Sequence, residues 1–178
     1  MAKPLILIAA SIPIIFAILI AIPMLTNPQI PFSAVNVDDK IAVEFTKHHL
    51  KKVSLGVTDR ITPQKSEILI MSNEGNVRYI VTADGVPQPE KTATVGRDQV
   101  KKLIAMVKET GFMRIPIDSI APNDDVLEYA KFSLKVTLNG ETKQIQWVEQ
   151  NATSALIPPI LSQIQFSLEN VTKKAFPS

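Results

Sequence analysis

The chain contains no cysteine and only two histidines among its 178 residues. Without cysteine it can form no disulfide bond and can offer no thiolate as a nucleophile or metal ligand. The two histidines, His48 and His49, are adjacent, so the His-x-x-x-His spacing of metal sites is absent. No other imidazole exists to activate a serine nucleophile. These absences remove the commonest zinc, thiol and serine-triad sites.

Glycine and aromatic residues are also scarce, with 6 glycines and 6% aromatic residues. The sequence has no glycine-rich phosphate loop and no Gly-x-Ser-x-Gly elbow. Its low aromatic content argues against a stacking platform for sugars. The 19 Lys and Arg residues balance 17 Asp and Glu residues with the signs interspersed, so no nucleic-acid partner is predicted. We therefore predict no cofactor and no catalytic residue, and we do not expect an enzyme.

One long apolar run stands out, because residues 4–26 contain no charged side chain. A helix of this length extends about 34 Å, slightly more than the hydrocarbon core of a bilayer. The run exceeds the apolar region of a typical signal peptide, and no well-formed cleavage site follows it. We predict a transmembrane anchor over residues 1–26 that contacts the lipid bilayer through residues 4–26. A cleaved signal, which would release a secreted binding module, is the alternative.

The distribution of basic residues predicts the orientation of this anchor. Lys3 precedes the run, whereas the next basic residue after it is Lys40. The positive-inside bias favours a single-pass protein with a cytoplasmic N-terminus and an external C-terminal domain at the cell membrane. Residues 27–39 contain two prolines and small polar residues, which is the composition of a linker. The external domain is then predicted over residues 40–178.

The first half of this domain shows β-rich and helical patterns. EILIMS and NVRYIVTA flank a turn at residues 73–76 and predict a hairpin, and residues 91–95 predict a third short strand. Apolar residues at helical intervals predict a helix over residues 97–110, with Gly96 and Gly111 at its ends. Residues 40–57 fit either a helix or a strand, and the sequence leaves their type open.

The second half contains a clearer hairpin and a terminal helix. Residues 131–138 alternate strictly between apolar and polar, and Asn139-Gly140 suits a two-residue turn into a return strand at residues 141–148. A helix is predicted to open at the double proline, residues 158–159. The fold class is therefore α+β, a transmembrane helix followed by two β-hairpins and two helices in the order ββ(β)α-ββα. We expect both helices on one face of an antiparallel sheet.

Four residues are candidate metal ligands, namely His48, His49, Asp124 and Asp125. Adjacent histidines point in different directions on a helix or a strand, so they need further ligands from elsewhere. An alternative function, a hydrolase or metal-binding domain, would combine the histidine pair with acids between Asp118 and Glu128. A turn followed by a short capped helix accounts for the same acidic segment more simply.

Two further features are candidate sites on an exported surface. Asn151 and Asn170 each begin an Asn-x-Thr triplet and are candidate glycosylation acceptors, although about one such triplet is expected by chance. Trp147 is expected on the buried face of its strand, where large aromatic side chains usually serve packing. Glu149, an acid at the end of that strand, is predicted to line a small groove beside Trp147.

Three segments carry a resemblance to a known group of proteins: EFTKHHLKKVSLGVTDRITPQKSEILI, KETGFMRIPIDS and VTLNGETKQIQWVEQNAT. Together with the proline-led terminal helix, they resemble uncharacterised archaeal membrane-anchored exported proteins with a small α+β domain. The resemblance covers residues 41–170 approximately. It implies a location and a fold, and it implies no catalytic residues.

These observations together predict a protein that works by contact. The long anchor and a folded domain without a recognisable reactive constellation indicate a binding or accessory module at the cell envelope. Its expected partners are the lipid bilayer and other membrane or envelope proteins.

Overall fold

The computed structural model describes residues 34–177. The predicted membrane span, residues 4–26, and residues 27–33 of the predicted linker lie outside the described residues. Within residues 34–177, neither helix combines the length and the apolar character needed to cross a bilayer.

The described chain forms seven strands and two helices in one α+β unit, as the sequence predicts. Helix α1 spans Arg97–Glu109 and helix α2 spans Pro159–Ala175, and short 3-10 turns lie at Phe112–Arg114 and Gln150–Ala152. The strands are β1 Ile41–Leu55, β2 Thr58–Met71, β3 Asn76–Ala83, β4 Val86–Pro87, β5 Lys91–Thr94, β6 Glu128–Leu138 and β7 Glu141–Val148.

All seven strands join a single sheet through antiparallel pairs. The order is β4-β3-β2-β1-β6-β7, and β5 also pairs with β3. The two hairpins expected from the sequence, β2–β3 and β6–β7, are therefore joined by a strand that the sequence left unassigned. That strand, β1, lies at the centre of the sheet, between β2 and β6.

Residues 41–55 form a strand because their apolar side chains alternate at period two. Ile41, Val43 and Phe45 are buried, whereas Ala42 and Glu44 between them are exposed. Only a strand places such alternate residues on one face. The helical spacing also present in this segment is overridden by pairing with neighbours on both sides.

Both helices bury their apolar stripes in the same core, on one face of the sheet. The inward residues of β1, β2, β6 and β7 form the other side of that core. Helix α1 begins after Gly96, and Gly111 follows its end in a left-handed conformation, as the two glycines predict. The buried helical residues are Val100, Leu103, Ile104, Ala105, Val107, Leu161, Ile164 and Leu168.

The end of the predicted linker is fixed to the domain by Asp39. The Asp39 carboxylate is buried, accepts hydrogen bonds from the backbone N–H of Asn36 and from the Nδ2 of Asn139, and pairs with Lys108 Nζ at 2.8 Å. Asn139 in turn accepts a hydrogen bond from the backbone N–H of Lys40. The chain therefore enters β1 through a network that links α1 to the β6–β7 turn.

The β6–β7 hairpin has the turn predicted for it. Asn139 and Gly140 have φ values of 53° and 89°, so both occupy the left-handed region that this two-residue turn requires. The acidic segment before β6 differs from its prediction. Residues 124–125 form a turn, but no helix follows and the chain enters β6 at Glu128. The Leu127 carbonyl instead accepts a hydrogen bond from the Lys52 N–H and Glu128 pairs with Lys51, so pairing with β1 outweighs the capping signal of the acids.

The β1–β2 hairpin extends beyond the rest of the sheet as an arm, defined here as residues 52–62. Pairing of β1 with β6 stops at Lys51, and pairing of β2 with β3 stops at Lys65. One further backbone hydrogen bond follows on each side, from the Lys52 N–H to the Leu127 carbonyl and from the Asp84 N–H to the Gln64 carbonyl. Beyond these bonds the two strands pair with each other. Val57 at the tip is fully exposed, and Ile61 is 53% exposed.

Replacing Gly75, in the turn between β2 and β3, with alanine is expected to lower the free energy of unfolding by about 2 kcal/mol. Its φ is +83°, and an added Cβ would lie 2.5 Å from the backbone oxygen of Val95. Gly85 is a matched control, because its φ is +79° but an added Cβ would meet nothing within 4 Å. Thermal and urea unfolding should show Gly75→Ala clearly less stable than Gly85→Ala, which pays only for backbone strain. Equal stability of the two variants would contradict the close contact with Val95.

Candidate binding groove

Two clefts lie along helix α2, between the helix and the sheet. Cleft A has a volume of about 530 Å³ and cleft B of about 470 Å³. Both clefts are lined by Lys47 of β1 and Glu169 of α2, whose Nζ and Oε1 atoms are 3.7 Å apart. We refer to the two clefts together as the helix groove, which this ion pair divides.

The groove arises because the inward face of β1 changes character after Phe45. The next inward positions are Lys47 and His49, both partly exposed. Lys47 lies opposite Glu67 on β2, so this neighbouring strand also carries a charged side chain on the same face, whereas on β6 Lys47 lies opposite the buried Phe132. Burying charged side chains costs free energy, so helix α2 does not pack tightly against this part of the sheet. An open space remains between the helix and the sheet.

Cleft A is acidic and surrounds His49. Its charged side chains are three glutamates, Glu128, Glu149 and Glu169, against one lysine, Lys47. Among the described residues, Glu128 and Glu149 form no ion pair. Ser162 and Gln165 of α2 supply hydroxyl and amide groups along the opposite wall. This cleft can therefore accept hydrogen bonds from a cationic group.

Trp147 and Glu149, beside which the sequence predicts a small groove, both line cleft A. Glu149 also has a structural role, since its backbone N–H donates to the Ala130 carbonyl and its Oε1 accepts the Ala130 N–H at 3.1 Å. Trp147 is only 1% exposed and stacks on Phe132 with ring centroids 5.6 Å apart. Trp147 therefore supports the cleft from beneath and presents almost no surface to a ligand.

Cleft B has the opposite charge balance. Four lysines line it against two glutamates, Glu67 and Glu169. Lys65 pairs with Glu67, and Lys47 with Glu169, whereas Lys91 and Lys173 form no ion pair with any carboxylate of residues 34–177. The two unpaired ammonium groups suit an anionic group. The four lysines are Lys47, Lys65, Lys91 and Lys173.

Tyr79 lines cleft B and contacts both Phe176 at the end of α2 and Glu67 on β2. Its ring stacks on Phe176 at the end of α2, with centroids 5.5 Å apart. Burial, followed by the charge and hydrogen bond of Glu67, raises the pKa of Tyr79, so the phenol stays protonated. Burial alone would raise the pKa of Glu67, but the hydrogen bond and charge of Lys65 and the hydrogen bond from Tyr79 outweigh it and lower that pKa.

The two histidines do not share a site. His49 lines cleft A, whereas His48 lies on the opposite face of the sheet, where its Nδ1 is 2.7 Å from Ser66 Oγ. Burial and then the charge of Lys131 lower the pKa of His48. Within the described residues, no three His, Asp or Glu side chains lie close enough together to hold a metal ion.

The acids between Asp118 and Glu128 are also dispersed. Asp118 pairs with Lys143 at 2.6 Å beside β7. Asp124 and Asp125 are exposed in their turn, where the Asp124 carbonyl accepts a hydrogen bond from Lys52 Nζ. Only Glu128 reaches the groove. Of the predicted histidine and acid set, the structure therefore brings together His49 and Glu128.

The two candidate glycosylation acceptors have different surroundings. Asn151 is exposed in the 3-10 turn after β7, whereas Asn170 lies within α2 and is partly buried. The Thr172 hydroxyl of the second triplet donates to the Leu168 carbonyl inside the helix. The turn at Asn151 is the more accessible of the two positions.

The fold and the groove define a class of protein: an α+β domain whose terminal helix and sheet enclose a charged groove. No model of a known protein family matches the chain, and no curated protein matches it significantly.

Proposed function

We propose that the protein is a membrane-anchored interaction module of the cell envelope, and that its helix groove binds an extended segment of a partner protein. The observation that carries this proposal is the pair of clefts along α2, one with excess carboxylates and one with excess lysines. The location rests on the charge-free run at residues 4–26.

The lining of the groove favours a polypeptide over other ligands. Sugars are commonly bound on exposed aromatic faces, but in cleft A Trp147 and Phe132 are 1% and 4% exposed, and in cleft B the rings of Tyr79 and Phe176 stack on each other. An acyl chain requires apolar walls, and these walls carry charged side chains. A nucleic acid requires a basic surface, whereas cleft A is acidic. A peptide can offer both charge signs and hydrogen-bond donors along one extended chain.

Capture of partners by the full chain in its native cells tests this proposal. The groove variant carries Glu128→Gln and Lys91→Gln, and the control carries Glu44→Gln and Lys135→Gln on the opposite face of the sheet. Both double variants remove one charge of each sign from exposed positions. We expect in-cell cross-linking to show about a tenfold loss of the main partner in the groove variant, because two complementary contacts are lost, and no loss in the control.

The outcome that contradicts the proposal is equally specific. If the groove variant keeps its partners while circular dichroism shows both variants folded, the groove is not the binding surface. If both double variants lose the partner equally, the loss comes from removing surface charge anywhere on the domain and not from the groove, which also contradicts the proposal.

A second candidate function, metal binding or hydrolysis, is supported by His49 and Glu128 lining the same cleft. Glu149 also lines this cleft, but in the structure these three side chains do not lie close enough together to hold a metal ion, so metal binding would require them to move. Metal analysis of the purified full chain tests it, with His49→Ala as the variant and His48→Ala as the matched control. Near-stoichiometric zinc or calcium that is lost only in His49→Ala supports this function, and absence of bound metal rules out the metal-dependent version.

A further inference from the structure

The two clefts place opposite charges at opposite ends of one groove. Ser162 and Gln165 border the acidic cleft A, whereas Thr172 and Lys173 border the basic cleft B. From Ser162 in cleft A to Lys173 in cleft B the helix advances eleven positions, so the two clefts together extend about 16 Å along α2. An extended peptide covers that distance in about five residues.

We infer that the helix groove selects a bipolar peptide, with a cationic side chain in cleft A and a carboxylate in cleft B, about five residues apart. This inference rests on the proposed function and adds the charge pattern of the partner. Glu128 and Glu149 would bind the cation, and Lys91 and Lys173 would bind the carboxylate. These four side chains are the ones in the groove whose charges are not already paired within the described chain.

The ion pair at the middle of the groove keeps the two charges of the ligand apart. Lys47 Nζ pairs with Glu169 and also lies 5.8 Å from the centre of the Phe132 ring. Each partner therefore neutralises the other, and the midpoint offers neither a free cation nor a free anion. A ligand with both charges close together would match only one cleft, whereas a five-residue separation matches both.

Capped hexapeptides with defined charge positions test the inference against the full chain in detergent micelles. The bipolar probes are Lys-Thr-Val-Thr-Val-Glu and its reverse, because either chain direction satisfies the geometry. The controls carry Lys at both ends, Glu at both ends, or Lys and Glu adjacent. Fluorescence anisotropy at low salt should show one bipolar probe binding at least tenfold tighter than every control, with the difference shrinking as salt rises.

A charge reversal sharpens the test. In the variant Lys91→Glu with Lys173→Glu, the preference should change from the bipolar probe to the peptide with Lys at both ends. Equal binding of all probes, binding of none, or an unchanged preference in this variant overturns the inference. If groove variants still lose their partner in cells while the probes show no charge preference, only this inference fails. If those variants keep their partner, the proposed function fails as well.

Discussion

Replacing Trp147 with alanine should lower the free energy of unfolding by about 3–5 kcal/mol, the range found when a large buried aromatic is truncated. The side chain is 1% exposed and packs in an aromatic cluster with Phe132 and Phe45, at centroid distances of 5.6 and 6.5 Å. Its removal leaves a cavity beneath cleft A that neighbouring strands, fixed by their hydrogen bonds, cannot fill. Urea unfolding followed by far-ultraviolet circular dichroism measures the change.

Two variants serve as controls for the Trp147 prediction. Trp147→Phe retains a ring for stacking and should cost about 1–2 kcal/mol. Leu156 is 83% exposed, so Leu156→Ala should change stability by less than about 0.5 kcal/mol. A loss below about 1 kcal/mol for Trp147→Ala would mean that the three rings do not form a tightly packed cluster.

Replacing Asp39 with alanine should lower the free energy of unfolding by about 3 kcal/mol, because this one substitution leaves several hydrogen-bond donors without an acceptor. Lys108 Nζ and Asn139 Nδ2 would lose their carboxylate partner, and so would the backbone N–H of Asn36. Asp38 is the neighbouring acid and is exposed, so Asp38→Ala is a matched control that should be nearly neutral. Urea unfolding at pH 7 compares the two variants. Similar losses in both would show that the network around Asp39 does not stabilise the domain.

Asp39 should also make stability depend on pH. Burial alone would raise the pKa of its carboxyl, but hydrogen bonds from Lys108, Asn139 and Asn36, with the charge of Lys108, outweigh burial and hold that pKa below the usual 3.8. Because the folded pKa is the lower one, this stabilisation is complete above the unfolded pKa and is lost as pH falls through the folded pKa. Unfolding measured from pH 6 to pH 2.5 should show a smaller decline in Asp39→Asn than in the native chain.

Local patterns of the sequence were sufficient to predict most of the secondary structure. The β6–β7 hairpin follows from strict alternation and from Asn139-Gly140, which need no distant partner. Helix α1 follows from four apolar residues at helical spacing. The sequence alone does not decide the type of β1, because the segment fits both periods and only its pairing with β2 and β6 favours a strand.

The candidate site was predictable only where its residues lie close together in the chain. Trp147 and Glu149 can be identified from the sequence, because Trp147 occupies a buried position of a strand and Glu149 directly follows the end of that strand. Lys47 and Glu169 are separated by more than a hundred residues, and neither belongs to a motif. Once β1 is known to be a strand, its inward positions continue from Phe45 to Lys47 and His49. This change from an apolar residue to polar residues at the inward positions of β1 is the one local signal in the sequence that predicts a polar groove beside the core.

The position of β1 has a mechanical consequence. The chain enters β1 beside Asp39 at one end, and the tip of the arm lies at the other end of this fifteen-residue strand, about 48 Å away. Tension between these two points would run along β1, at right angles to the hydrogen bonds that tie it to β2 and β6. Under such a load many of the backbone hydrogen bonds between these strands must break together, whereas a load across the strands breaks them one after another. The domain is therefore built to resist pulling along this axis more strongly than pulling across it.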